Sequence, residues 1–162
     1  MALDIIKLFV SIIICQIAGL ITIVINSKVL EPWYVELKKP PFSVPNWMVA
    51  PVWGTLYMLM GVSFFIIWSE GVETEGVKLA MILFAVHIFF DIITSYVFYV
   101  KKSPSIAVVN ELVLTALIVA VLVLYFAIKP VAGYLVIPQL VWNVYLLIES
   151  VSIEVLNQKK PA

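Results

Sequence analysis

The sequence predicts an all-α membrane protein built as a bundle of five transmembrane helices. Of its 162 residues, 64% are hydrophobic and only 12% are charged, whereas soluble domains are about half apolar and a quarter charged. A soluble core of this size cannot hide so much apolar side chain from water. Five apolar runs are each long enough to cross a hydrocarbon core of about 30 Å, which takes roughly 20 helical residues. Because these runs lack the in-and-out alternation of a membrane β-barrel, we expect helices.

The predicted spans form one domain, 1–162, and cover 5–26, 46–68, 77–100, 105–128 and 131–156. The first run follows Lys7 as a signal peptide would, but its length and the lack of an A-x-A-like cleavage site favour a retained helix. It carries Ser11, Cys15 and Gly19 at four-residue spacing. Such stripes of small residues let helices approach closely in lipid. Packing within the chain is the preferred interpretation, and a dimer face is the alternative.

The connection 27–45 is about twenty residues long, which in a small membrane protein indicates a functional loop. Its prolines, Pro40, Pro41 and Pro45, are expected to hold the loop extended until a helix begins at Asn46, which is a good N-cap residue. The loop therefore has the stiffness that a covering segment needs.

Lysine counts predict the orientation. The first loop, the third connection and the C-terminal end together hold seven lysines, and the opposite side holds three. By the positive-inside rule the C-terminus is cytoplasmic and the N-terminus lies outside. All ten basic residues are lysines and the net charge is zero, so we expect membrane lipids and no nucleic acid as partners.

Two of the runs contain a proline followed closely by a tryptophan. Trp53 comes two residues after Pro51, and Trp142 four residues after Pro138. An internal proline bends a helix and frees a backbone carbonyl. A bent helix beside a large ring forms a cavity with one flat aromatic wall, and two such walls can hold a planar conjugated ligand by offset stacking. We therefore predict an aromatic pocket at these two tryptophans.

Four ionisable residues are predicted inside the membrane: His87, Asp91, Glu111 and Glu149. His87 and Asp91 are four residues apart and share a helix face. Each such group costs about 2.5–3.5 kcal/mol to insert, so all four should face the bundle interior. Three alternatives stay open: a hydrogen-bonded cluster that fixes helix register, ligand contact through His87 or Asp91, and a proton or metal site with His87 as a conceivable haem ligand. No HExxH or paired-histidine motif is present, so the metal alternative rests on residue types alone and no metal ligand is assigned.

Two segments resemble the translocator protein / tryptophan-rich sensory protein (TspO/MBR) family. The stretch 33–61, WYVELKKPPFSVPNWMVAPVWGTLYMLMG, is similar to the family pattern W-Y-x-x-L-x-K-P followed by P-V-W-x-x-L-Y-x-x-M-G. The stretch 132–142, AGYLVIPQLVW, is similar to the family's fifth-helix pattern A-x-x-L-L-x-P-Y-L-x-W. The resemblance covers essentially the whole chain.

This resemblance implies a five-helix bundle whose long cytoplasmic first loop covers an internal pocket. It implies a receptor or sensor for porphyrin-like or other flat hydrophobic ligands, with protoporphyrin IX or haem as candidate ligands and no required cofactor. One alternative is an enzyme that degrades porphyrin in light, with Trp53 and Trp142 as catalytic residues. Another is a proton-linked transporter of hydrophobic ligands. Members are often homodimers, so a second copy is a candidate partner, and a prokaryotic plasma membrane is the expected location.

The resemblance and the pocket argument together predict the ligand-binding residues Trp33, Tyr34, Pro45, Trp47, Trp53, Tyr57, His87, Asp91, Thr94, Phe98, Gln139, Trp142 and Leu146. For Trp33 and Trp47 the alternative is the aromatic belt at the membrane interface. His87, Asp91 and Thr94 stand where the family usually has Gln, Asn and Trp. The chain thus keeps the overall framework of the family, while the polar residues expected to line the pocket differ.

Overall fold

The computed structural model describes residues 2–26 and 32–158, except for the side chains of 2, 26 and 98–101. The helices are α1 (Ala2–Asn26), α2 (Pro32–Glu36), α3 (Asn46–Ser69), α4 (Val77–Lys101), α5 (Pro104–Ile128) and α6 (Pro130–Asn157). All but α2 are long and apolar enough to cross a membrane. The predicted all-α fold with five spans is confirmed, and each predicted boundary lies within a few residues of the observed one.

The first loop differs from its prediction in two details. It contains the short helix α2, which begins at Pro32, and proline fits the first helical turn because its missing N–H would have no partner there. The predicted N-cap role of Asn46 is wrong. Pro45 occupies the cap position of α3, and no side chain caps this helix end.

The five long helices close into a ring. Helix α1 packs against α3 and α4, α3 packs against α6, α6 against α5, and α5 against α4. The outer surface is apolar, with exposed side chains such as Phe9, Phe89 and Val123. Lipid tails can solvate such side chains, so the polar groups are left to the interior of the ring.

The small-residue stripe of α1 lies in the seam with α3. Ser11 and Cys15 are each only 1% exposed. A Cβ atom added to Gly61 would lie 2.8 Å from the Ile12 Cα atom, and one added to Gly19 would lie 2.5 Å from the Tyr57 ring. The two backbones therefore approach as closely as glycine allows, and the stripe serves packing within the chain, as preferred from the sequence.

Replacing Gly61 with alanine tests this seam. The added methyl group meets α1 backbone, which cannot move aside as a flexible side chain would, so we expect a loss of about 1–3 kcal/mol in unfolding free energy. The measurement is thermal unfolding of the detergent-solubilised protein. Gly54→Ala, on the same helix but with no atom near the added Cβ, is the matched control and should be neutral or slightly stabilising. Equal effects of the two substitutions on thermal unfolding would contradict the close packing of α1 against α3 at Gly61.

Candidate functional site

A cavity opens inside the bundle between α3, α4, α5 and α6, under α2 and the first loop. Its volume is about 100 Å³, below the range of about 300–1,000 Å³ that is usual for small-molecule sites, so a large ligand fits only if the lid moves. Apart from Tyr34 of α2 and Val44 of the first loop, the lining residues belong to the first half of α3 and α5 and the second half of α4 and α6. The cavity thus occupies the end of the bundle where the first loop, the α4–α5 connection and the C-terminal end meet.

Five of the predicted ligand-binding residues line this cavity: Tyr34, Trp53, Asp91, Thr94 and Leu146. The other described ones, which do not line it, are Trp33, Pro45, Trp47, Tyr57, His87, Gln139 and Trp142. The side chain of Phe98 lies outside the described residues. Trp47 is 74% exposed, as the membrane-interface alternative requires.

Several lining residues were not predicted to bind ligand. Ser95 and Ser150 contribute hydroxyl groups, and Glu111 and Glu149 contribute carboxyl groups. The sequence marks the two glutamates as intramembrane charges, and that signal could have placed them in the pocket. The small apolar residue Ala107 carries no comparable signal, because nothing in an apolar run distinguishes a pocket residue from a packing residue.

The aromatic wall is built differently from the predicted pair of facing rings. The Trp53 ring stacks on Tyr57, with centroids 5.6 Å apart and an angle of 29° between the planes. Trp142 stacks in the same way on Tyr145, at 5.2 Å and 25°. The two tryptophans meet edge to face, at 6.3 Å and 87°. Their planes are perpendicular, so the expectation of two parallel walls is wrong. Trp53 forms one wall, and Trp142 supports its edge.

Tyr57 holds this wall in place through its hydroxyl group. The hydroxyl donates a hydrogen bond of 2.8 Å to Asp91 Oδ2, and its oxygen lies 3.2 Å from Thr22 Oγ1. Tyr57 is fully buried and Asp91 is 2% exposed. Side chains from α1, α3 and α4 are joined at this point, and the orientation of the Tyr57 ring sets that of Trp53.

His87 belongs to a second polar cluster behind the wall. Its Nε2 atom lies 3.5 Å from Asn143 Nδ2, and Gln139 Nε2 donates to Asn143 Oδ1 at 2.9 Å. All three residues are buried. The structure therefore separates His87 from Asp91, although the two share a helix face. Within the described part of the chain, no group of three or more His, Cys, Asp or Glu residues is arranged to hold a metal ion.

The acidic side of the cavity comes from three helices. Asp91, Glu111 and Glu149 line it from α4, α5 and α6. Glu111 is 7% exposed, and its Oε2 atom has no hydrogen-bond partner among the described residues. Near Glu149 the first loop contributes Lys39, whose ammonium group lies 3.8 Å from the centre of the Tyr34 ring. Burial lowers the pKa of Lys39 from its ordinary value, while the nearby Glu149 acts to raise it.

The first loop is fastened to α6 at two points. The Tyr145 hydroxyl donates to the Phe42 carbonyl oxygen at 3.0 Å and accepts from the Val44 N–H at 3.0 Å. The Asn157 side chain accepts from the Lys38 N–H at 3.0 Å and donates to the Lys38 carbonyl oxygen at 2.9 Å. The part of the loop that these bonds hold, residues 38–44, is therefore a closed lid over the cavity, and a ligand that enters from this side must break these bonds.

Comparison with known proteins identifies a family and several relatives. The sequence model of the TspO/MBR family matches residues 11–156. The human protein named Translocator protein is 31% identical over 111 residues, which is 68% of this chain and 66% of that protein. The Tryptophan-rich protein TspO of Archaeoglobus fulgidus is 27% identical over 156 residues, 96% of this chain and 99% of that protein. The protein of the same name from Chlorobaculum tepidum is 26% identical over 129 residues, 80% of this chain and 82% of its own length.

The lid fastening is tested by Tyr145→Phe. Loss of the hydroxyl removes two hydrogen bonds of about 0.5–1.5 kcal/mol each, so the lid should open about fivefold more often or more. Hydrogen exchange is measured at the Val44 amide, which loses its acceptor, and at the Lys38 amide, which keeps Asn157 Oδ1 as its acceptor, so faster exchange at Lys38 reports opening of the lid itself. Tyr134→Phe is the control on the same helix, since Tyr134 is exposed and packs on Phe126. Unchanged exchange at Lys38 in Tyr145→Phe would show that the fastening does not hold the lid.

Proposed function

Because the chain belongs to the TspO/MBR family, we propose that it is an integral-membrane receptor for a flat, hydrophobic, porphyrin-like ligand. The proposed site is the cavity beneath the lid. The observation that carries the proposal is the Trp53 ring, which lines this cavity and is only 4% exposed. A deep cavity with one flat aromatic wall suits a planar conjugated molecule better than a flexible one.

The wall is rigid before any ligand arrives. Trp53 is stacked on Tyr57, and the Tyr57 hydroxyl is hydrogen-bonded to Asp91. A ring that is already fixed loses little conformational freedom on binding, so more of the contact energy contributes to affinity. Stacking on such a ring contributes about 0.5–1.5 kcal/mol beyond the burial of apolar surface.

The lid gives the site the behaviour of a sensor. The lid is fastened at two points to α6, and α6 also contributes Leu146, Glu149 and Ser150 to the cavity. A ligand that displaces this part of α6 changes the fit of the lid, and a partner at the membrane surface can detect that change. The lysine distribution supports a lid and a C-terminus on the cytoplasmic side, with the N-terminus outside. A prokaryotic plasma membrane stays a prediction.

The other predictions from the sequence concern the same cavity. Light-dependent porphyrin degradation by Trp53 and Trp142, proton-linked transport and homodimer formation all stay predictions. Receptor function is preferred because it requires only an aromatic wall and a cover that opens to make room for the ligand.

The proposal is tested by titrating the purified protein with protoporphyrin IX dimethyl ester in the dark, following the porphyrin absorption band. The ester is uncharged at its side chains, so the test depends on shape and stacking. We expect saturable binding that weakens about threefold to tenfold in Trp53→Phe, because a phenyl ring offers a smaller stacking surface.

Trp68→Phe is the matched control. Trp68 lies near the opposite end of α3, where it packs on Phe64 and does not line the cavity. Its replacement should leave the affinity unchanged. Equal weakening in both variants would place the ligand elsewhere, and the absence of saturable binding to the wild type would overturn the proposed function.

A further inference from the structure

The cavity has an unusual balance of charge for a porphyrin site. Three carboxyl groups line it, those of Asp91, Glu111 and Glu149. The chain contains no arginine, and the described lysine that approaches the cavity is Lys39, on the lid. Protoporphyrin IX carries two propionate groups of its own. Shape and aromatic surface therefore favour the porphyrin ring, while the charge of the lining opposes its acid groups.

The three carboxyl groups differ in the partners that they have. Asp91 accepts a hydrogen bond from Tyr57. Glu149 lies near Lys39, which contributes positive charge at the mouth of the cavity. Glu111 is more than nine-tenths buried, and its Oε2 atom has no partner in the described part of the chain. A buried polar group without a partner is costly, and a native structure usually has a reason to keep one. Glu111 is one of the residues that line the cavity, so a ligand that opens the cavity can reach its carboxyl group.

We propose that Glu111, with Asp91 beside the same cavity, selects ligands that present a cationic amine, over ligands of the same shape that present a carboxylate. This proposal rests on the proposed function, since it names the charge of the ligand that the cavity takes. The ligand class is a flat hydrophobic molecule with a protonated amine on a short arm.

The physical basis is that the ligand amine supplies a hydrogen-bond donor and the Glu111 carboxyl group supplies the acceptor. A ligand N–H⁺ group placed against Glu111 Oε2 forms a charge-assisted hydrogen bond in a low-dielectric site, where such bonds are strong. A carboxylate placed there would add a fourth acid group to an apolar site, where neighbouring acid groups can bind one another only by sharing a proton, so the lining still favours the amine. Lys39 does not reverse this preference. Its ammonium group lies over the Tyr34 ring at the lid and acts on the outermost carboxyl group, Glu149.

The test uses three probes with one porphyrin core: protoporphyrin IX, its dimethyl ester, and its bis(2-aminoethyl) amide. Their side arms are negative, neutral and positive at neutral pH. Binding to the purified wild-type protein is followed in the dark by porphyrin absorption. We expect the amide to bind about tenfold more tightly than the free acid, or more, with the ester between them.

Glu111→Gln isolates the proposed residue. Glutamine keeps the approximate size of the side chain and removes its charge, and no described hydrogen bond of Oε2 is lost. The preference for the amide over the acid should fall about fivefold or more, and ester affinity measured in the same variant shows whether the cavity still binds the porphyrin ring. Glu154→Gln is the control, because Glu154 accepts a hydrogen bond from Ser105 and does not line the cavity. Each probe partitions into detergent to the same extent with every variant. The proposal is therefore judged by how the ratio of amide affinity to acid affinity changes between variants.

The possible outcomes can be told apart. Loss of the preference in Glu111→Gln alone supports the proposal. Acid binding as tight as amide binding in wild type, or an unchanged preference in Glu111→Gln, overturns it and leaves the proposed function intact if the ester binds. Failure of all three probes to bind overturns the proposed function and the charge preference with it. Should Glu111→Gln not fold, Glu149→Gln takes its place, with a smaller loss of preference expected because Lys39 already acts on that carboxyl group.

Discussion

The cavity depends on one hydrogen bond, from the Tyr57 hydroxyl to the Asp91 carboxyl group, 2.8 Å long and fully inside the bundle. In an apolar interior, a carboxyl group that lacks a hydrogen-bond donor destabilises the fold by roughly several kcal/mol. Helices α3 and α4 are therefore strongly constrained to meet at this point. The bond also orients the Tyr57 ring, and the Trp53 ring stacks on it. A single polar contact thereby joins two helices and sets the aromatic wall of the cavity.

Helix α6 connects the chemistry of the cavity with its cover. It contributes Glu149 and Ser150 to the lining, and it holds the lid through Tyr145 and Asn157. One helix therefore both lines the cavity and holds the lid closed. The bend that Pro138 permits lies between this region and the opposite end of α6. A receptor needs such a link between an internal site and a surface segment.

The spans could be predicted from the sequence because length and apolar composition determine them almost alone. The family resemblance located the lid and the pocket, and five predicted residues line the cavity. Finer geometry depends on neighbouring helices, which no single segment encodes. His87 and Asp91 share a helix face, yet Asn143 of α6 approaches one and Tyr57 of α3 the other. The perpendicular tryptophans and the short helix α2 were missed for the same reason, since packing between segments decides both.

A ligand that occupies the cavity beneath the lid must shield the lining from solvent reagents, and thiol protection at a lining residue measures this. Ser150→Cys places a thiol in the lining and Ser69→Cys places one on an exposed site at the far end of α3. The native Cys15 is buried, so wild type gives the background. Alkylation rates are measured with and without protoporphyrin IX dimethyl ester. We predict that the ester slows alkylation of the Ser150→Cys variant and leaves the rate of the Ser69→Cys variant unchanged. An unchanged rate at 150, while absorption reports saturable binding, would contradict binding in this cavity.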